Sequence, residues 1–257
     1  MTTAGVVTES LLPHAFSSPN VIVSGPDGAL WFTENTHQSI GRMTVGGSLT
    51  EFPTSRSGTP FFITRGPDGS LWFAGDRINF NTAVLSRMTT SGNVCNFPDP
   101  TPGALLFGIA SGHDGYLWFL DNRNNVIGRS DRSGKMNFFS IPTAHSSPYA
   151  ITSGPDGNLW FTETVGDKIG RITPQGVITE FLLPSANRFP EGIAAGADGE
   201  VWFTEVGHIG RISAAGAITE FSAAPMTRPF VIAPGPPGDQ HMWFTDPFGG
   251  AIGSIHL

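Results

Sequence analysis

Glu191 is the residue of this sequence best placed for acid–base chemistry. It lies in the segment Phe189-Pro-Glu-Gly-Ile193, at a position where similar segments of the chain carry an aromatic residue or Asn. Burial among aromatic side chains raises the pKa of a carboxyl group, which can then act as a general acid or base. We predict Glu191 as a catalytic residue; the alternative is a carboxylate that faces solvent.

Two histidines are further candidates for proton transfer. His37 follows Glu34 by three residues, and His208 follows Glu205 by three. Histidine is the side chain best suited to exchange protons near neutral pH. We predict both as catalytic candidates, against the alternative of solvated loop histidines.

Five acidic residues recur after aromatic or apolar runs. Glu34, Glu163 and Glu205 each follow Trp-Phe-Thr, so one interpretation is a repeated acid that ends a strand or caps a loop. The other interpretation is a converging ring of carboxylates that binds a hard cation through oxygen atoms. The predicted metal ligands are Glu34, Asp121, Glu163, Glu205 and Asp246.

These residues are positioned by a repeat. The pattern Gly-x-x-Gly-x-(Leu/Val)-Trp-Phe recurs with a period near 42 residues and contains all six tryptophans. Such a period, with several strands in each unit, is typical of a β-propeller with one blade per repeat. We predict one all-β domain over 1–257, with six four-stranded blades at about 14–54, 55–99, 100–142, 143–184, 185–224, and 225–257 plus 6–13.

The two ends of the chain predict how the ring closes. The sixth repeat stops after its third strand, at Ile255-His-Leu257. The segment Val6-Val-Thr-Glu-Ser-Leu-Leu-Pro13 matches the fourth strand Val177-Ile-Thr-Glu-Phe-Leu-Leu-Pro184. We therefore expect residues 6–13 to pair into the last blade, which would remove the exposed sheet edges.

The starts of the inner strands predict an apolar site at the mouth of the central channel. Four of them carry aromatic residues, which could form a hydrophobic funnel with a few polar anchors for a small molecule. The alternative is that bulky side chains fill a narrow axis to avoid a void. The predicted substrate-binding residues are Asn20, Phe61, Phe107, Tyr149 and Phe230, with Arg188 and Arg228 from the loops before blades five and six.

Composition narrows the classes of partner. A net charge of −7 with only 14 Lys and Arg argues against nucleic acids and anionic membranes. Cys95 is the single cysteine, which excludes an internal disulfide. Without a targeting segment or an apolar stretch long enough to span a bilayer, we expect a cytoplasmic monomer that acts on a small molecule.

The blades closely resemble those of the virginiamycin B lyase family. The shared motifs are Gly-Pro-Asp-Gly-x-Leu-Trp-Phe-Thr-Glu, Ile-Gly-Arg-Ile-Thr and Ile-Thr-Glu-Phe-x-Leu-Pro, and the resemblance covers the whole chain. It implies a lyase that opens the macrocyclic depsipeptides of streptogramin B antibiotics, using Mg²⁺, a glutamate and histidines in Pro-His-(Ala/Gly)-Ile segments. That family has seven blades, whereas this chain has six. The matching positions here contain no histidine: they are Asn20, Phe61, Phe107, Tyr149, Glu191 and Phe230.

Two classes of function remain open from the sequence. The first is an enzyme of natural-product metabolism or antibiotic resistance, which acts on a cyclic or polycyclic compound by elimination or as a cyclase or isomerase. The second is a non-catalytic propeller that binds a peptide, sugar or protein on its loop face. The missing histidines and the phenylalanines favour the cyclase or isomerase over the family's own elimination.

Overall fold

Each repeat folds into one antiparallel sheet. The computed structural model describes residues 10–54, 58–77, 82–223 and 227–257. Over these residues five repeats form four-stranded sheets and the sixth forms a three-stranded sheet, with strands paired in chain order. The predicted six-bladed β-propeller is therefore confirmed. Within the same ranges, no helix has the length and apolar character needed to cross a membrane.

The strands of blades one to three follow directly from the repeat. Blade one contains β1 (Pro19–Ser24), β2 (Leu30–Glu34), β3 (Ser39–Met43) and β4 (Leu49–Pro53). Blade two contains β5 (Thr59–Arg65), β6 (Leu71–Arg77), β7 (Thr82–Met88) and β8 (Val94–Pro98). Blade three contains β9 (Leu106–Ser111), β10 (Leu117–Asp121), β11 (Val126–Ser130) and β12 (Met136–Ser140).

Blades four to six continue the pattern with shorter inner strands at the end. Blade four contains β13 (Pro148–Ser153), β14 (Leu159–Glu163), β15 (Lys168–Ile172) and β16 (Ile178–Leu182). Blade five contains β17 (Ile193–Ala195), β18 (Val201–Glu205), β19 (His208–Ile212) and β20 (Ile218–Ser222). Blade six contains β21 (Ile232–Pro234), β22 (His241–Asp246) and β23 (Ala251–His256).

The turn and the tryptophan that recur in each repeat form one hydrogen-bonded unit. In blade one, Gly28 has a φ of 75°, a left-handed conformation that glycine adopts without steric cost. The indole N–H of buried Trp31 donates to Asp27 Oδ1 over 2.9 Å, and Arg42 on β3 donates to Asp27 Oδ2 over 2.7 Å. The turn therefore satisfies the polar atom of the indole while its ring enters the core.

Adjacent blades are joined by apolar clusters. The tryptophan face of one blade packs on the next, as where Trp31 and Ile40 of blade one meet Leu71 and Phe73 of blade two. Equivalent clusters join blades two to three, three to four, four to five and five to six. The propeller is therefore held by repeated side-by-side packing of its sheets.

The faces of blades six and one differ from the rest. Over the described ranges no buried cluster joins them. Ile252 of blade six is 63% exposed, whereas its counterpart Ile209 in blade five is 2% exposed. On the opposing face of blade one, Ile22 and Leu30 are 59% and 40% exposed, beside a groove of about 290 Å³. We call these two surfaces the open faces of blades one and six.

The predicted closing strand is only partly described. Residues 6–9 lie outside the described residues. Residues 10–13 are described and do not belong to a strand, although Ser10 and Leu12 line the groove on blade one. Closure of the sixth blade by residues 6–13 therefore stays a prediction.

Candidate functional site

The inner strands surround an axial cavity. Its volume is about 150 Å³, enough for one ring or one side chain of a larger ligand. All six blades contribute to its wall, mainly with apolar groups. Among the lining residues are Asn20, Phe62, Tyr149, Gly192 and Phe230.

An aromatic cluster from blades two, three, four and six lies at one end of this cavity. Phe61 stacks on Phe107 with ring centroids 5.9 Å apart, and Phe107 lies 5.3 Å from Tyr149. Phe62 meets Tyr149 edge-on at 5.6 Å, and Tyr149 lies 6.0 Å from Phe230. All five are half-buried. The aromatic residues predicted at the inner-strand starts are therefore brought together, and Phe62 joins them.

Irregular strand pairing places these side chains at the mouth. In the first four blades, the register between the first and second strands shifts close to Asn20, Phe61, Phe107 and Tyr149. A local irregularity of this kind turns a side chain away from the regular alternation of the strand and is common beside functional sites.

The polar part of the mouth is an ion pair. Glu191, 8% exposed, accepts a hydrogen bond of 2.7 Å from the guanidinium of Arg228, in the loop before blade six. The two residues were predicted separately, as catalytic and substrate-binding candidates, and the structure joins them. Next to Glu191, the backbone of blade five comes close to that of blade six. Only a glycine fits at position 192, because a Cβ there would lie 2.4 Å from the carbonyl oxygen of Phe230.

Tyr149 adds a neutral hydrogen-bond donor beside the pair. Burial, and next the charge of Glu191, raises the pKa of its phenol to about 12, although the charge of Arg228 acts in the opposite direction. The hydroxyl group therefore keeps its proton at physiological pH. The mouth thus combines a carboxylate, a guanidinium and a phenol above an apolar cavity.

The threonine of the repeated Trp-Phe-Thr motif holds the mouth in place, a role that sequence reasoning missed. Thr162 of blade four donates its hydroxyl proton to the carbonyl oxygen of Glu191 over 2.9 Å. Thr204 of blade five does the same for Phe230 over 2.8 Å. The sequence carries a hint of this role, because the threonine is replaced in blades two and three. The acceptor carbonyl group, however, lies in the next blade, 26 or more residues away in the chain.

The other loop candidates interact with other groups than Glu191. His37 is exposed and its ring stacks on His14 at 3.7 Å. His208 begins β19, where Nδ1 lies 3.3 Å from the carbonyl oxygen of Val206. Arg188 donates to the same carbonyl over 3.4 Å. No hydrogen bond or ion pair among the described residues links these three side chains to Glu191 or Arg228.

The five acids predicted as metal ligands do not form one cluster. Each lies at the end of the second strand of its own blade and is buried. Second strands lie about 4.8 Å farther from the axis than first strands, so their ends do not converge. Asp121 accepts hydrogen bonds from the backbone N–H groups of Leu105 and Asn124, which is the loop-capping interpretation. Asp246 accepts from the N–H groups of Arg228 and Gly249.

The three glutamates of this set lack such donors. Both carboxyl oxygens of Glu34, Glu163 and Glu205 are buried without a hydrogen-bond partner. Burial, and next the charge of Glu220, raises the pKa of Glu205 to about 8. Burial, and next the charge of Glu180, raises the pKa of Glu163 to about 7. Burial likewise raises the pKa of Glu34.

The channel mouth does not fit a magnesium ion. Mg²⁺ requires several oxygen ligands in nearly octahedral geometry. At the mouth, the carboxylate of Glu191 already faces the guanidinium of Arg228, and the nearest phenol, Tyr149, keeps its proton. A magnesium ion would have to displace the guanidinium of Arg228 from Glu191.

Comparison with known proteins gives a consistent result. The model of the Virginiamycin B lyase family matches residues 1–82 and 78–257. Virginiamycin B lyase from Staphylococcus aureus is 37% identical, with a TM-score of 0.91 over 100% of this chain and 86% of that chain. Its catalytically inactive histidine-to-alanine variant with quinupristin gives a TM-score of 0.92 at the same identity and coverage. A streptogramin B lyase is 30% identical over 96% of this chain and 85% of that chain, with a TM-score of 0.85.

Proposed function

Because the chain belongs to the virginiamycin B lyase family, we propose that it cleaves a largely apolar cyclic ester at its channel mouth by elimination. The observation that carries the proposal is the Glu191–Arg228 ion pair beside Tyr149, above the aromatic cluster. The cavity admits only one ring or side chain of such a compound. The rest of the macrocycle would lie on the mouth.

Glu191 would act as the base. It stands in the segment Pro190-Glu-Gly-Ile193, which matches the family pattern Pro-His-(Ala/Gly)-Ile with glutamate in place of histidine. Its carboxylate would remove the proton on the carbon next to a carbonyl group. The electron pair of that C–H bond would form a carbon–carbon double bond, while the neighbouring C–O bond breaks and its electrons leave with the ester carboxylate. Atoms and charge balance without water or a second reactant.

Arg228 and Tyr149 would stabilise the negative charge that develops on the carbonyl oxygen. A guanidinium and a phenol that keeps its proton are hydrogen-bond donors of the kind that stabilise such an oxyanion. Arg228 would also bind the carboxylate that leaves. The proposal therefore uses this chain's own cation where the family resemblance implies magnesium.

Turnover of quinupristin, the compound present with the inactive relative, tests the proposal. Elimination gives a ring-opened product with the mass of the substrate, whereas hydrolysis gives a product heavier by one water. A cyclase or isomerase would leave no new carboxylate. We expect Glu191→Gln to lower turnover by at least about 100-fold, within the range for loss of a general base. Arg228→Met should also lower it.

Two matched variants serve as controls. Arg188→Met changes the corresponding loop arginine of blade five, whose guanidinium donates to the carbonyl oxygen of Val206 and not to Glu191 in the described structure. Glu200→Gln changes a glutamate at the opposite end of the same blade. Both should keep wild-type turnover. Equal turnover in wild type and Glu191→Gln would refute the assignment of the base. Binding of quinupristin without any product would favour the non-catalytic propeller.

A further inference from the structure

A second cluster of ligand-type side chains lies in blade one, outside the channel mouth. His14 Nδ1 is 3.1 Å from Glu51 Oε2, and the rings of His14 and His37 stack at 3.7 Å. The ligand atoms of these three residues all lie within 4.8 Å of one another. They come from the loop before β1, the loop between β2 and β3, and β4. Of the described residues, these three form the group that could hold a metal ion.

A buried carboxylate lies against this cluster. Glu34 is fully buried and neither of its oxygens has a hydrogen-bond partner. The hydroxyl of Ser17 lies nearby, but it donates to the carbonyl oxygen of His14 over 2.8 Å. A Cβ at Gly41 would lie 2.8 Å from Glu34 Oε1, and Gly41 pairs with Glu51, so the two carboxylates lie on the same face of the sheet. Burial of a carboxylate without a partner is costly, and a cation would remove that cost.

Blade four places a lysine on the outer acid of its corresponding pair. There the equivalent carboxylates are Glu163 and Glu180, and Lys168 donates to Glu180 over 2.7 Å. Lys168 is opposite Glu163 in the sheet, the place that Ser39 has opposite Glu34 in blade one. The hydroxyl of Ser39 is buried and has no partner. Blade one therefore has the acid pair without the lysine, and two histidines instead.

We propose that His14, His37 and Glu51 bind a divalent transition-metal ion beside the buried carboxylate of Glu34, with Zn²⁺ the best match. Two imidazoles and carboxylates are common ligands of tetrahedral zinc. Metal–ligand distances of about 2.0–2.2 Å give ligand separations of about 3.3 Å, so the two exposed histidines would turn inwards. The ion would tie the segment before β1 to the outer part of blade one.

Zinc binding to the untagged, full-length protein tests this proposal. After dialysis against a chelator, zinc would be titrated in competition with a chromophoric chelator and the bound metal counted by mass spectrometry. We expect one zinc per wild-type chain. His14→Ala and His37→Ala should each weaken binding by more than the roughly 10–100-fold that follows loss of a hydrogen-bond partner of a ligand. His113→Ala, at an exposed histidine in a turn, should bind like wild type.

A second variant tests the comparison with blade four. Ser39→Lys should place an ammonium group against Glu51, as Lys168 is placed against Glu180, and should abolish zinc binding while the protein stays folded. Circular dichroism of each variant checks the fold. Failure of the wild type to bind one zinc would overturn the proposal. So would wild-type affinity in both histidine variants or in Ser39→Lys.

Discussion

The buried carboxyl of Glu205 predicts a large dependence of stability on pH. Its pKa of about 8 lies above the ordinary value of 4.5 because of burial and then the charge of Glu220. The native state therefore holds the proton more tightly than the unfolded chain. This contribution to stability is complete below about pH 4.5 and is lost as the pH rises through 8.

The size of the effect follows from the difference between the two pKa values. At about 1.36 kcal/mol per pH unit, a difference of about 3.5 units amounts to a ceiling of about 5 kcal/mol when Glu205 is fully ionised. Rotation of the side chain or entry of water relieves part of such a cost, so we expect roughly 2–4 kcal/mol. Glu205→Gln keeps the shape and removes the charge. It should be more stable than wild type at pH 9, with the difference shrinking towards pH 6.

Urea unfolding followed by tryptophan fluorescence at several pH values from 6 to 9 would measure this difference. Asp121→Asn is the matched control, because Asp121 has the same place in blade three but accepts two backbone hydrogen bonds. Loss of those charge-assisted bonds should destabilise the protein by about 1–3 kcal/mol. If Glu205→Gln and wild type show the same change in stability between pH 6 and 9, the description of Glu205 as a buried carboxyl group without a partner is wrong.

Two further changes test the scaffold. Asp156→Ala removes the acceptor of the Trp160 indole N–H, a hydrogen bond of 3.0 Å. This change should lower the free energy of unfolding by about 1–3 kcal/mol in the same assay. A loss below about 0.3 kcal/mol would contradict the turn unit described above. Gly128→Ala places a Cβ 2.2 Å from the ring of Phe119 and should cost about 1–3 kcal/mol or more through overpacking. Gly46→Ala, where the nearest atom is 3.9 Å away and φ is not positive, should be nearly neutral, and equal effects at the two glycines would argue against the packing described.

Repetition is what made the scaffold predictable. Six copies of one turn and one tryptophan leave few alternatives to a propeller, and the aromatic side chains at the inner-strand starts share one end of the axis by symmetry. The Glu191–Arg228 pair was less accessible, because it joins loops of two blades, 37 residues apart, through side-chain conformation. His14 was missed since it lies outside every repeated motif. The acidic ring was expected because its five residues share one position in the repeat. That shared position places each acid at the end of the second strand of its own blade, but it does not bring acids of different blades together.

The open faces of blades one and six affect where the protein unfolds first. A ring in which every blade packs against two neighbours tends to unfold as a whole. In a row of repeats, the terminal repeats pack against one neighbour and lose their structure first. Blades one and six each share a buried cluster with a single neighbour among the described residues. Amide hydrogens in those two blades should therefore exchange with solvent sooner than those of blades three and four. Because the Glu191–Arg228 pair joins blade five to blade six, one side of the channel mouth belongs to a blade that we expect to lose its structure early.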